Sequence, residues 1–140
     1  MNRSVLRDAL AQKADRITRC IARARAERAA ATNFACDLTH QDAAILNVQR
    51  ACELAIDMAN MVVAEKQWGL PASARESFAL LHSNGWIDAD LAGSLGRMVG
   101  FRNVAVHAYD DLDLSIAEAV IDSDIDCLSR LASILLDRTA

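Results

Sequence analysis

The first sixty-eight residues of this chain contain neither glycine nor proline; Gly69 is the first glycine and Pro71 the single proline. A backbone without those residues has no low-cost place to leave a helix or turn sharply. Alanine and leucine dominate an apolar content of 53%, and only six of the 140 residues are aromatic. A sheet would draw more heavily on valine, isoleucine, threonine and aromatics. The chain therefore reads as all-α.

Apolar periodicity divides it into helices. A first helix is predicted over Val5–Ala29, with an apolar line through Leu6, Leu10, Ile17, Ile21 and Ala24. Thr39, with Asp42 three residues on, predicts the start of a second, carried by Ile45, Val48, Cys52, Ala55, Ile56, Ala59 and Val63. Gly69 and Pro71 stop it. Ser73 and Glu76 form a capping box for a short third helix ending at Asn84-Gly85, and Asp88 caps a fourth with Leu91, Leu95, Met98, Val99 and Phe101 inward. Ser115 and Glu118 make another box, opening a last helix through Ile121, Ile125, Leu128, Leu131, Ile134 and Leu135. Short connections between such helices predict an up-and-down bundle of four long helices and one short one. Several helices are apolar on more than one face, which predicts burial against a second copy.

With no repeat and no linker, residues 1–140 read as one domain with one core. The four cysteines, Cys20, Cys36, Cys52 and Cys127, follow no zinc spacing and read as small buried residues with reduced thiols. Arg3, Arg7 and Asp8 break any signal-peptide pattern, and no apolar run approaches the roughly 20 residues that span a bilayer. A cytoplasmic protein with no membrane contact is expected. Net charge is −4, but residues 1–28 carry +5 and residues 110–140 carry −6. Solvated helix faces are the simplest explanation, since scattered surface charge is the norm; otherwise the two ends attract one another across the bundle or present the basic helix to an anionic partner.

The chemistry concentrates in Arg102-Asn103-Val104-Ala105-Val106-His107-Ala108-Tyr109, which reads R-x4-H-x-Y. RNA cleavage without a metal needs a base for the 2′-hydroxyl, an acid for the leaving 5′-oxygen and a cation for the phosphate. Histidine serves as base or acid because its unperturbed pKa, about 6.5, lies near working pH. Arginine's permanent charge and forked donors match a phosphate. Asn103 shares a helix face with His107 and can orient the imidazole or bond a phosphate oxygen. Arg102 and His107, five residues apart, diverge by about 140° on an ideal helix. Either the helix loosens near Val106, or two protomers pair so that both copies line one cleft; the second arrangement fits the expected dimer. The pattern alone is equally met by an Arg102 paired to a carboxylate and a His107 satisfied in the core.

The surroundings narrow this. Met98 to Tyr109, preceded by Glu76-Ser77-Phe78-Ala79-Leu80-Leu81 and Gly85-Trp86-Ile87-Asp88, strongly resembles the HepT-like family of the HEPN superfamily. The resemblance extends from about Ile45 to the last helix, including Ala55-Ile56-Asp57-Met58-Ala59 and the Leu70-Pro71 turn; the first helix fits in character only. It implies a four- to five-helix bundle that dimerises to bring two R-x4-H motifs together, acting as an RNase toxin of a type VII toxin–antitoxin pair. It implies an MntA-type nucleotidyltransferase antitoxin that uses ATP to place AMP on the tyrosine. By position, Arg102 and His107 would be the catalytic pair and Tyr109 the acceptor, with no cofactor of the toxin's own. Bulk and negative charge two residues from His107 would then block the RNA phosphate.

Asp57, in a polar stripe with Glu53 and Asn60, is a candidate to support Arg102 or His107, and a solvated face accounts for it equally well. The arginines at 16, 19, 23 and 28 are candidates for RNA or partner contact: Arg16, Arg19, Arg23 and Arg28 are the densest positive supply in the chain. Asp110, Asp111 and Asp113 read as a solvated loop leading to a cap, His40 and His82 as helix-end residues, and Trp68 and Trp86 as turn anchors. The principal rival is a non-catalytic helical partner that binds substrate for a minimal nucleotidyltransferase, although an adaptor needs none of Arg102, His107 and Tyr109. A plain dimerisation module leaves the same triplet unexplained.

Overall fold

The computed structural model describes residues 2–140, and every regular element among them is helical. Helix α1 (Arg3–Ala30) and helix α2 (Leu38–Lys66) are joined through a 3-10 turn at Phe34–Cys36. Helices α3 (Ala74–Ser83) and α4 (Ala89–His107) follow, then a 3-10 turn at Tyr109–Asp111, α5 (Leu114–Ala119), a π turn (Val120–Asp124) and α6 (Asp126–Arg138).

Side chains that cross between helices fix their directions. Lys13, early in α1, lies 3.7 Å from Asp57, late in α2, while Glu27 meets His40 at the opposite end, so the pair is antiparallel. Arg7 donates to the Leu136 carbonyl and Arg25 to Asp126, which sets α6 antiparallel to α1. Cys52 lies against Met98, and Tyr109 reaches Asp42, so α4 runs antiparallel to α2. The result is the expected up-and-down bundle. Its interior holds the predicted lines: Leu10, Ile17, Leu95, Leu128, Leu131 and Leu135 are almost wholly buried, each contributing about 1.5–3 kcal/mol in transfer terms.

Ser73 and Asp88 cap α3 and α4 as the sequence predicts. The other caps differ. Asp37, not Thr39, caps α2, because its carboxylate reaches both the His40 amide and the His40 ring. Asp42 is thereby left outside the cap. Asp113, not Ser115, caps α5, accepting from the Ser115 and Ile116 amides. The last helix is also not continuous. Ala117, Ile121 and Ile125 are all buried at steps of four, a spacing that suits a turn wider than 3.6 residues. Arg25 donates to the Ile121 and Asp122 carbonyls that the π turn leaves available.

The opposite charges of the two ends do meet. Arg28 lies 3.1 Å from Asp122 and 3.4 Å from Glu118, and Arg25 lies 3.0 Å from Asp126. Of the cysteines, Cys52 and Cys127 are buried, and burial pushes their thiols up to about 12 and about 11. Cys20 is half-buried and Cys36 exposed, contrary to a uniformly buried set. Among the described residues no helix is long and apolar enough to cross a membrane.

Candidate active site

Helix α4 continues unbroken to His107, where the Ala108 amide still donates to the Val104 carbonyl at 2.8 Å. The helix does not loosen at Val106, so Arg102 and His107 keep the divergence of about 140° that ideal geometry gives them. Arg102 leans onto α2. Its Nη1 lies 3.4 Å from Glu53 Oε1, and its Nε is buried without a hydrogen-bond partner among the described residues. The Nε is shut off from solvent, so Arg102 presents an anion with its terminal guanidinium nitrogens only. His107 is exposed and makes no hydrogen bond or ion pair within the described residues, so it is not a satisfied core histidine. Asn103, half-buried one turn before His107, has no hydrogen-bond partner there either.

Tyr109 opens the 3-10 turn after α4, and its hydroxyl donates to the Asp42 carboxylate across 67 residues of sequence. Partial burial holds the phenol well above its ordinary pKa, aided by the Asp42 hydrogen bond and the charges of Asp42 and Asp110, all of which oppose a phenolate. Val104, Val106 and Tyr109 are exposed here. A groove of about 350 Å³ runs alongside, between α4 and α5, with Met98, Phe101, Val104 and Ile116 in its walls.

The polar stripe on α2 separates into three unrelated contacts. Glu53 takes Arg102, Asp57 takes Lys13, and Asn60 accepts from Ser77. Asp57 therefore does not support Arg102 or His107. It sits one turn further along α2, opposite α1, and the sequence expectation for it is corrected in favour of Glu53.

The basic first helix is largely occupied. Arg19 pairs with Asp15 and Arg23 with Glu27 within the helix, and Arg28 is held by Glu118 and Asp122 while stacking 5.0 Å over Phe34. Arg16 alone of the four candidates is exposed without a partner among the described residues. Trp68 and Trp86 pack edge to face at 5.4 Å, with Lys66 and Arg138 over the Trp86 ring, as turn anchors would. Three contacts escaped the sequence reading: Glu53 with Arg102, Asp42 with Tyr109, and Arg25 with the π turn. Glu53 lay in the right stripe, but nothing local marks it over Asp57, and the Asp42–Tyr109 contact has no local signal at all.

Several known proteins are similar to this chain. The family model described as Ribonuclease HepT-like matches residues 11–135. The mRNA nuclease HepT of Shewanella oneidensis is 38% identical over 130 residues, covering 93% of this chain and 98% of that protein. A solved structure of the tri-AMPylated Shewanella oneidensis HEPN toxin in complex with MNT antitoxin has a TM-score of 0.86 and 38% identity. It covers 96% of this chain and 97% of its own. A toxin–antitoxin crystal structure with AMP-PNP gives 0.87 at 37% identity, covering 96% and 99%.

Proposed function

The chain belongs to the Ribonuclease HepT-like family, and we propose that it is a dimeric ribonuclease toxin silenced when a nucleotidyltransferase antitoxin of the MntA kind transfers AMP to Tyr109. The curated relative is named an mRNA nuclease, which supports messenger RNA as the substrate class. Residues 1–140 act as one helical domain in the cytoplasm, and the nuclease step uses no cofactor; ATP is consumed by the partner.

Each protomer supplies an Arg102 and a His107 to a shared cleft. One His107 imidazole takes the proton of the 2′-hydroxyl, whose oxygen then attacks phosphorus. The other gives a proton to the 5′-oxygen as the P–O5′ bond breaks. The two Arg102 guanidinium groups hold the non-bridging oxygens where negative charge builds, and the unpartnered Asn103 amide, on the same helix face as His107, bonds a phosphate oxygen. AMP on Tyr109 brings a phosphodiester charge and a nucleoside to within two residues of His107, where the substrate phosphate must lie.

The observation that carries the shared cleft is the divergence of the pair on an unbroken helix: Arg102 is engaged with α2 while His107 is exposed and unpartnered. The exposed Val104 and Val106 between them offer an apolar surface for the second copy. Expression of wild type, His107→Ala and Tyr109→Phe tests the reading. Wild type should arrest growth and cleave RNA, His107→Ala should do neither, and Tyr109→Phe should cleave RNA but escape the antitoxin. Harmless wild-type protein that cuts no RNA would end the nuclease assignment.

A further inference from the structure

Tyr109 must lose its phenolic proton when AMP is attached, and its surroundings oppose early loss. A free phenol titrates near ~10, so it is neutral at working pH and a weak nucleophile. Here burial, Asp42 on α2 and Asp110 in its own turn all disfavour the phenolate further. The proton must therefore leave as the new bond forms, to a base already within hydrogen-bond reach.

Asp42 is that neighbour. Its carboxylate accepts the Tyr109 hydroxyl proton in a hydrogen bond, and it makes no other hydrogen bond among the described residues. The fold does not need it for helix capping, because Asp37 performs that task at the start of α2. It is exposed, beside an open crevice of about 360 Å³ whose walls are Asp42, Leu46, Gln49 and Tyr109. Phenol and carboxylate can thus be approached together from solvent.

We propose that Asp42 is the general base of the modification, receiving the Tyr109 proton as the phenolic oxygen attacks the α-phosphorus of a nucleoside triphosphate held by the partner nucleotidyltransferase. This rests on Tyr109 being the acceptor, as proposed above. In the step, the Oη–Pα bond forms, the bond from Pα to the bridging oxygen breaks, and pyrophosphate departs. The proton moves to Asp42 Oδ1 and then to water. Afterwards the phenol can no longer donate to Asp42.

Tyr109 is the only tyrosine in the chain, so fluorinated tyrosine supplied in cell-free synthesis alters the phenol's acidity at that position alone. The whole chain is incubated with purified nucleotidyltransferase and ATP, and AMP addition is followed by intact mass. Asp42→Asn keeps a hydrogen-bond acceptor but cannot take the proton. It should slow transfer about 10²–10⁴-fold in kcat, leave the KM for ATP unchanged and leave RNA cleavage by the unmodified protein within twofold. Trifluorotyrosine, whose phenol ionises without help, should recover at least tenfold of that loss. Transfer to Asp42→Asn at the wild-type rate, or a defect indifferent to fluorination, overturns the assignment and reduces the contact to a latch. Wild-type protein that takes no AMP, or Tyr109→Phe that takes as much, removes the acceptor reading itself, and the role of Asp42 falls with it.

Discussion

Replacing Glu53 with glutamine removes one charge from the contact that holds Arg102 while preserving the shape of the side chain. The two groups stand 3.4 Å apart, with Arg102 19% exposed and Glu53 46% exposed. Coulomb's law at that separation gives about 5 kcal/mol at an effective dielectric of ~20 and about 1.2 kcal/mol in bulk water. Glu53 is half in solvent, so the lower figure governs, in keeping with the roughly 0.2–1 kcal/mol measured for exposed pairs. A coupling of about 1 kcal/mol corresponds to about fivefold in rate. Loss of the Arg102 cation is larger, about 10²–10³-fold, as for other donors aimed at transition-state charge. Cleavage of a fluorogenic RNA by wild type, Glu53→Gln, Arg102→Ala and the double variant closes a double-mutant cycle. Glu53→Gln should lower kcat/KM about fivefold, with a melting temperature only a few °C down. The double variant should match Arg102→Ala within twofold. A fully additive double variant would show that Glu53 acts elsewhere. A gain of activity in Glu53→Gln would show that the carboxylate competes with the phosphate rather than aiming the guanidinium.

Arg28→Ala should destabilise the fold by up to ~1 kcal/mol, since it severs the contacts to Glu118, Asp122 and Phe34, and should leave the salt dependence of RNA binding untouched. Arg16→Ala should lower that log–log slope by about one unit with little effect on stability; equal slopes for the two variants would sink this division of the first helix. Near-ultraviolet absorbance reports phenolate formation at the single tyrosine, and wild-type Tyr109 should stay neutral beyond the free-tyrosine range near ~10, while Asp42→Ala shifts its titration down. Because the native pKa is raised above the unfolded one, the contact's contribution to stability is full below the unfolded value and fades as pH climbs through the native one; ionisation of wild-type Tyr109 at the ordinary position would contradict this environment.

The distribution of charge serves both the fold and the site. Arg25 and Arg28 spend their charge on the π turn and the acidic last helices, so the basic excess of the first helix is mostly internal to the bundle. Of the arginines singled out from the sequence, Arg16 on α1 and the partly matched Arg102 on α4 remain for an anionic substrate.

Secondary structure and the inward faces of the helices were legible from sequence because both are decided within about four residues. The lack of glycine and proline before Gly69 forced long helices, and the apolar lines through Leu6, Leu10 and Ile17 or Leu91, Leu95 and Met98 are all buried as their spacing predicts. Ser73 and Asp88 cap as read, since a cap concerns only its own first turn. The R-x4-H-x-Y residues were legible as types in a pattern. Which partner each one meets was not. Glu53 and Asp57 occupy neighbouring turns of the same polar stripe, and only the crossing of α4 over α2 decides that Arg102 meets the first while Lys13 takes the second. The Asp42–Tyr109 contact joins residues 67 apart, and its existence depends on the register of two helices packed through the side chains of both. That register is a property of the assembled core, so no local rule along the chain contains it.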